Sequence, residues 1–566
     1  MKKALSAILI LCMAFSILTV SSFAETLKGD LDENGKIQLN DAMRTFQAVA
    51  GKIKLSETEI TAADVTNDSK IQLNDAMMIF QYVAGKIDSF DKPIVMLDNI
   101  SVCVGPAPQS LDPMMASSNE DLTYVMHLYE GLYSLNENAT VSPAQAESVE
   151  ISSDGCTYTF HLKDNLKWND GSALSAYDFV YGWNRAYNSD APYTYLFANI
   201  KGYNEGTLNI SAPDAKTFVV QLYYPDISFL QLTTYPIFAP VKDTIQDFSN
   251  GGIGNGAFKI KLIDDNMIVI EKNNYYQDLN NVHINEISFI LSSDIEQADS
   301  LYQEGTLLYN KISSYDNSCK LSSMPGIYYL NLNCSKPYLS DAKVRKALSI
   351  SINRTELLNN LSLYNSPAKY ILPDITAKDQ PVYVNENQSD LAQAKELLSQ
   401  AGYPNGDGIP TLEYVVNDSS GHIQSAEYIK SCWQKLGINM EIKTYEWNEY
   451  LNKLSNKEFD VCRNGWISET TNPLDILELF YSTSEYTNES NWANNDYNTL
   501  LERVSTETNE TTRNELLKQA SEIFINENPA VILYHYNQIC RQKSNLYNVE
   551  TLFTGQVSFV NAYAEK

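Results

Sequence analysis

Asp30, Asp32, Asn34 and Asp41 stand at positions 1, 3, 5 and 12 of a twelve-residue stretch whose sixth residue is Gly35. Oxygen side chains at alternate positions, a turn glycine and a closing acid are what calcium requires, because a hard divalent cation collects about six to eight oxygens around one sharp bend. The carbonyl of Lys36 would serve as the position-7 ligand, and Gln38 at position 9 would act directly or through water. The pattern recurs with Asp64, Thr66, Asp68 and Asp75 at the same four positions, the Lys70 carbonyl at the seventh, and Ser69 in place of the turn glycine. Two calcium ions are expected, the second held more weakly.

The elements that position these ligands are duplicated too. Lys36-Ile-Gln-Leu-Asn-Asp-Ala-Met recurs from Lys70, and Val49-Ala-Gly-Lys-Ile recurs from Val83, both at an offset of 34 residues. After the loops, Ala42, Met43, Phe46, Val49 and Ile53, then Ala76, Met77, Phe80, Val83 and Ile87, recur at helical spacing, so each loop feeds an amphipathic helix and the two apolar faces are expected to pack together. Met1-Lys2-Lys3, an apolar run from Ala4 to Val20, and Ser22-Phe23-Ala24 read as a secretory signal over residues 1–24, cleaved after Ala24. Leu11 before Cys12 argues against a lipoprotein site. Too few residues then precede Asp30 for an entering helix. Such loop-plus-exiting-helix repeats resemble the type I dockerin, here over residues 25–88, a small all-α module. The resemblance implies binding to a cohesin module through loop positions 10 and 11, which hold Leu39-Asn40 and Leu73-Asn74. Either copy would dock after a half-turn of the module.

The 70 acidic residues outweigh the 41 basic ones, a net charge of −29 that disfavours nucleic acid and anionic lipid and attracts cations. No zincin helix, nucleophile elbow, phosphate loop or dinucleotide glycine fingerprint is present, and His127, His161, His283, His422 and His535 are scattered. The 37 tyrosines suit wet clefts, since each ring carries a polar tip. Seven cysteines follow the signal with no pair at metal-ligand spacing, which points mainly to buried thiols.

After a polar linker, residues 89–97, alternating segments such as Thr157-Tyr-Thr-Phe-His-Leu read as strands and Asp390-Leu-Ala-Gln-Ala-Lys-Glu-Leu-Leu as a helix, giving an α/β pattern. Ser110-Leu-Asp-Pro-Met, Leu128-Tyr-Glu-Gly-Leu, Tyr158 to Gly171, Asp178-Phe-Val-Tyr-Gly-Trp, Gly254-Asn-Gly-Ala-Phe, Lys343 to Arg354 and Phe459 to Trp466 follow in an order that resembles the oligopeptide-binding proteins of ABC importers, solute-binding family 5. The resemblance spans residues 98–566. It implies a periplasmic-binding-protein-like clamshell of three lobes: I over about 98–134, 222–325 and 533–566, II over about 135–221, and III over about 326–532.

In that family the ligand lies as an added strand between two lobes. The segments that would bond to it map to Ser117-Ser118-Asn119 and to Asn464-Gly465-Trp466-Ile467-Ser468. The resemblance makes Glu469 the anchor of the ligand amine, where Asp is usual, and Arg463 and His422 the partners of a short and a longer ligand's carboxylate. Trp447 and Trp466 match aromatic walls of side-chain pockets. A disulfide found in some members is ruled out, its positions being Gly326 and Ile467. The expected molecule is a secreted, non-enzymatic, monomeric receptor for short peptides that partners a membrane permease and attaches to the cell surface through cohesin. An oligosaccharide receptor of the same fold is the alternative, since dockerins commonly serve cellulosome-type systems; a dockerin-borne hydrolase is the third reading.

Overall fold

The computed structural model describes residues 27–66, 70–87, 89–90, 96–312, 314–376, 379–482 and 488–566. The expected signal segment, Asp68, Ser69 and most of the expected linker lie outside them. The described chain divides into two compact units, one ending at Leu97 and joined by Glu565 and Lys566, the other Asp98–Ala564.

In the small unit, helices Leu39–Val49 and Leu73–Val83 follow the two loops as expected. Each opens on a box in which a glutamine, Gln38 or Gln72, exchanges hydrogen bonds with an aspartate three residues on, so Asp41 and Asp75 cap their helices as well as close their loops. Two expectations are corrected. Helix Glu57–Ala63, capped by Ser56, enters the second loop, so only the first copy lacks an entering helix among the described residues. The two exiting helices do pack on each other, but only part of each apolar face is covered: Ala42, Ala76 and Met77 are buried. Leu31, Ala42, Ala62, Ala63, Val65, Met78 and Ile79 form the core, while Met43, Phe46, Val49, Phe80 and Val83 are exposed. The reason is size: a module this small encloses one thin core, and the small side chain of Ala42 allows close approach where Phe46 would hold the helices apart.

The larger unit is organised by two thirteen-residue strands, Lys320–Leu332 and Ala530–Gln542, paired antiparallel at the centre of an eleven-stranded sheet. Outward on one side run Val461–Ile467, Leu412–Asn417 and Met440–Tyr445. On the other run Tyr309–Asn310, Asn99–Gly105, Glu286–Leu291, Met267–Lys272 and Phe258–Ile263. The period of two decides what covers this sheet. Tyr328, Leu330 and Leu332 join one core with helices Ala342–Ile350, Leu391–Gln400 and Ser420–Gln434, while Ile327 and Tyr329 join another with Asn495–Thr506 and Glu510–Glu527. Buried on both faces, these strands form a rigid base.

A separate antiparallel sheet, Ala146–Ile151, Thr157–Leu162, Thr217–Gln221 and Ile210–Asp214, carries helix Ala176–Tyr187. Trp183 of that helix meets Phe218 and Phe238 edge-on at 4.8 and 4.9 Å, so the tryptophan block of the sequence is structural. The seven cysteines among the described residues are all free thiols. No helix of the described residues is long and apolar enough to cross a membrane.

Candidate functional site

In the first loop Gly35 has a φ of 79°, a left-handed turn that closes the loop at little cost only for glycine. Asp30 and Asp41 are buried, and with Asp32 they bring carboxylate oxygens within 4.8 Å of one another. Backbone donors fix them: Gly35 N–H to Asp30 at 2.7 Å, Leu31 and Gln38 N–H to Asp41 at 3.0 and 2.8 Å. Three carboxylates so close repel strongly unless a cation lies among them, so the donor set fits calcium. In the second loop the Thr66 hydroxyl donates to Asp75 at 2.9 Å and lies 3.4 Å from Asp64, doing with a neutral group what Asp32 does with a charge. Leu39 and Asn40 are exposed, and Leu73 and Asn74 are half-buried.

In the larger unit the decisive element is strand Val461–Ile467. One edge pairs along its whole length with Lys320–Leu332, from Val461 opposite Leu332 to Ile467 opposite Gly326. The other edge pairs with Leu412–Asn417 only at Val461 and Cys462. From Arg463 to Ile467 it is an open edge among the described strands. Alternation turns the peptide groups of Arg463, Gly465 and Ile467 toward it: the Tyr450 hydroxyl donates to the Arg463 carbonyl, and the Gly465 N–H donates to the Asn464 side chain at 2.8 Å. Gly465 leaves room for Tyr536, whose hydroxyl would lie 2.4 Å from a Cβ at this position and would have to move.

Opposite charges mark the two ends of this edge. Arg463 is 8 % exposed, with Trp447 and Tyr450 rings 5.5 and 5.2 Å away and one hydrogen bond, Nε to Asn417 at 3.0 Å. It forms no ion pair among the described residues. The buried Arg354, by contrast, spends all three guanidinium nitrogens on carbonyls and a serine hydroxyl. His422 lies close by, stacked on Tyr328 at 5.5 Å and within 3.2 Å of its hydroxyl. Burial, then the Arg463 charge, lowers His422 to about 4, so at neutral pH it offers a hydrogen bond but no charge. At the far end Glu469 accepts from the Tyr195 hydroxyl. Burial first and the Glu469 charge second hold the phenols of Tyr193, Tyr195 and Tyr235 above their ordinary range, so all three remain donors. Gln231 grips Thr471 through its backbone N–H at 3.1 Å and its hydroxyl at 3.0 Å, fixing the loop that carries Glu469.

Glu469 and Trp466 line a cleft of about 770 Å³. Trp447, half-exposed, stacks on Tyr450 at 5.8 Å. The Ser117 carbonyl accepts from Tyr193 at 3.2 Å, which brings this segment to the tyrosines around Glu469. The N–H groups of Ser117 and Ser118 are engaged by Asp121, and Asn119 accepts from Gln556 at 3.0 Å rather than bonding to the open strand. Reasoning from sequence missed Tyr193, Tyr195, Tyr235, Tyr450, Tyr536 and Asn417; the excess of tyrosine was the one signal that touched them.

Residues 140–488 match the model of bacterial extracellular solute-binding proteins, family 5 middle, well over half of the chain. The chain belongs to this family. Residues 28–84 match the type I dockerin domain, so the receptor carries a dockerin at its front. It is similar to the oligopeptide-binding protein OppA of Bacillus subtilis strain 168, 29 % identical over 505 residues that cover 82 % of this chain and 92 % of that protein. Among solved structures it is similar to the periplasmic murein tripeptide-binding protein MppA in its unliganded open form, with a TM-score of 0.75 and 27 % identity over 84 % of this chain and 98 % of that one. Another structure of MppA, from Escherichia coli, gives 0.64 at the same identity, over 84 % of this chain and 99 % of that one. The α/β clamshell preceded by a small helical module, expected from the sequence, is the observed fold class, and the family is one of solute binders rather than enzymes.

Proposed function

We propose that this protein is the extracellular receptor for short peptides of an ABC-type importer, held at the cell surface by its calcium-loaded dockerin. The observation that carries the reading is the open edge of Val461–Ile467 with an unpaired buried guanidinium at one end and a tyrosine-ringed carboxylate at the other. A peptide in extended form supplies partners for all three parts: main-chain groups for the edge beyond the Arg463 carbonyl and Gly465 N–H that side chains already engage, an amine for Glu469 and a carboxylate for Arg463. Gly465 and Ile467 give the edge its backbone, Trp466 and Trp447 give side chains an apolar wall, and His422 donates to a longer ligand's terminus. Ser117-Ser118-Asn119 would bond from the opposite lobe only after closure. An open form that closes by hinge motion on its ligand presents the permease with a liganded surface distinct from the empty one.

Support for the tether is the exposed stripe of Leu39, Met43, Phe46 and Val49, a run of apolar side chains that monomeric proteins rarely leave to water without a partner. Cohesin binding through Leu39-Asn40 or Leu73-Asn74 should survive loss of either pair and vanish only when both are replaced. Calcium would sit among Asp30, Asp32, Asn34, Asp41 and the Lys36 carbonyl, with the second ion at Asp64, Thr66, Asp68, Asp75 and the Lys70 carbonyl.

Half-exposed Trp447 stacked on Tyr450 is the one feature that favours an oligosaccharide, since sugars stack on such platforms. A neutral sugar would leave Arg463 buried without a counter-charge, a cost of several kcal/mol by ordinary desolvation. Native mass spectrometry of the secreted protein, purified without denaturant, decides between them: peptide masses are expected, and a ladder spaced by one hexose would transfer the assignment to the sugar.

A further inference from the structure

The grip of Gln231 on Thr471 joins residues 240 positions apart in the chain, and it saturates the side-chain amide. Oε1 accepts from the Thr471 N–H at 3.1 Å, while Nε2 donates to the Thr471 hydroxyl at 3.0 Å and to the Ala139 carbonyl at 3.0 Å. These partners fix which end of the amide is which, because a peptide N–H can only donate and a carbonyl can only accept. A side chain of this length must be an amide to serve both: glutamate lacks the donor, and methionine lacks both groups. Ala139 sits in the left-handed region, at a φ of 60°, on a turn whose N–H groups bond to the Asn136 side chain, a conformation kept where the surroundings impose it. The segment that carries Gln231 is held as well. A Cβ at Gly131 would lie 2.6 Å from the Thr233 carbonyl, so two backbones touch there and neither can yield by turning a side chain. Four residues after Gln231, the buried Tyr235 meets Tyr193 edge-on at 5.7 Å, and Tyr193 lies 6.0 Å from Tyr195, whose hydroxyl donates to Glu469. Residues 229–235 therefore reach Glu469 from two directions, through the backbone of its loop and through the hydroxyl that meets its carboxylate.

We propose that Gln231 is a positioning residue for recognition of the ligand amine: it sets the place of the Glu469 carboxylate without touching the ligand. The proposal rests on the peptide reading above, with Glu469 as partner of the amine, and adds to it the residue that decides how strongly a free amine is preferred. A charge-assisted hydrogen bond depends on direction as well as distance, so a carboxylate displaced by about 1 Å keeps its charge and loses much of its preference. The rest of the loop has supports of its own. The Ser468 N–H donates to the Pro325 carbonyl at 2.9 Å, and Arg513 donates to the Asn472 side chain. Those bonds hold the loop on either side of Glu469 and Thr471, so loss of Gln231 loosens the middle of the loop and leaves the fold standing.

The test uses the full-length calcium-loaded protein and tetra-alanine with its amine free or acetylated, and titration calorimetry reads the ratio of the two affinities. Gln231→Met keeps the stem and removes the amide. It should weaken the free peptide about ten-fold, the usual loss when a group that orients a ligating side chain is removed, and the acetylated one by less than about two-fold. Thr471→Val removes the hydroxyl and keeps the N–H bond to Gln231, so the ratio should fall by a smaller factor, roughly two- to three-fold. Added to Glu469→Gln, the Gln231→Met change should cost the free peptide nothing further, because the group it positions is already gone. A merely structural role predicts the opposite on each count: equal losses for both peptides, and losses that add to those of Glu469→Gln. Either result, or a ratio unchanged in Gln231→Met, would overturn the proposal. If Gln231→Met melts well below the parent protein, Thr471→Val decides in its place, and an unmoved ratio there counts against it. Equal affinities of the parent protein for the two peptides would remove both Glu469 and Gln231 from amine recognition while leaving the peptide reading intact. If neither peptide binds the parent protein, the peptide reading falls and this proposal with it.

Discussion

In the first acidic loop three carboxylates from twelve consecutive residues crowd together, and the backbone that holds them belongs to a module with a small core. In the cleft strand Arg463 and Glu469 are each held by distant residues, Asn417 and Tyr450 for one and Tyr195 for the other, on a sheet buried on both faces. The loop crowds charge of one sign, whereas the strand holds one charge of each sign at its two ends. They differ in what the missing ion does. For the loop it offsets a repulsion that the small core tolerates poorly, so binding and folding are coupled. For the strand the fold stands first, and the ligand meets an arrangement already in place.

The hardest break of that comparison is calcium removal. Differential scanning calorimetry of the full chain should show two transitions, and chelator should abolish or strongly lower the one from the small unit, worth about 4 kcal/mol at a thousand-fold excess of calcium over its dissociation constant. The transition of the larger unit should not move. If both shift together, the coupling is not confined to the module.

Capping the ligand acts on the other side. Acetylating the amine of a tetrapeptide should cost roughly 2–5 kcal/mol of binding, because it removes the positive charge and leaves Glu469 desolvated and unpaired. Glu469→Gln should weaken the free peptide by a similar order and the acetylated one little, so the two changes are non-additive, while the melting temperature stays nearly constant. Equal affinity for free and acetylated peptides would remove Glu469 from the site. Amidating the carboxylate should cost less if His422, neutral at pH 7, replaces Arg463 as its partner.

Glu489 tests how rigid the strand's support is. It accepts from Asn464 of the strand at 2.7 Å and from Asn331 at 2.6 Å, and burial raises it to about 7 despite those bonds and the charges of Lys457 and Arg463. An acid whose folded pKa exceeds its unfolded one holds its proton longer in the folded state, so stability falls as the pH rises from about 4.5 to about 7 and levels off above. Glu489→Gln keeps both asparagine bonds and should flatten that slope, gaining on the order of 2–3 kcal/mol at pH 7.5 and almost nothing at pH 4.5. Urea denaturation at the two pH values measures it; a parallel pH profile in the variant would show the carboxylate to be solvated.

The smallest effect is expected at Thr66. Thr66→Ala removes a neutral hydroxyl between Asp64 and Asp75 and should cost about 1 kcal/mol in the second loop. Asp30→Ala removes a charge and two loop bonds and should cost several times more, read as the calcium needed for half-maximal helicity. Equal losses would mean that the two loops are not ranked by charge.

Legibility followed the same division. The clustering of Asp30, Asp32 and Asp41 was readable because twelve residues contain the whole loop, and spacing alone brings their oxygens together. Glu469 and Arg463 were reachable only through likeness to other chains, since a lone Glu or Arg in a loop or strand has no signature of its own. The apolar face of Ala42, Met43, Phe46 and Val49 was correctly read as one face, but only Ala42 of these four is core, because periodicity says which residues share a face and not how much of it is covered.

By itself the sequence determined what depends on neighbours along the chain: an acidic loop feeding a capped helix, repeated once, the alternation of the strands, and the order of motifs that identifies a solute-binding clamshell. Only the tertiary structure decided what depends on neighbours in space: that the edge from Arg463 to Ile467 is left open, that Arg463 is buried with a single hydrogen bond, that Tyr193, Tyr195 and Tyr235 gather around Glu469, and that five carboxylates meet in one cleft. The reason is that side-chain period and loop spacing are local and survive in a one-dimensional string, whereas desolvation, unpaired edges and like charge across a cavity arise when segments hundreds of residues apart are brought together.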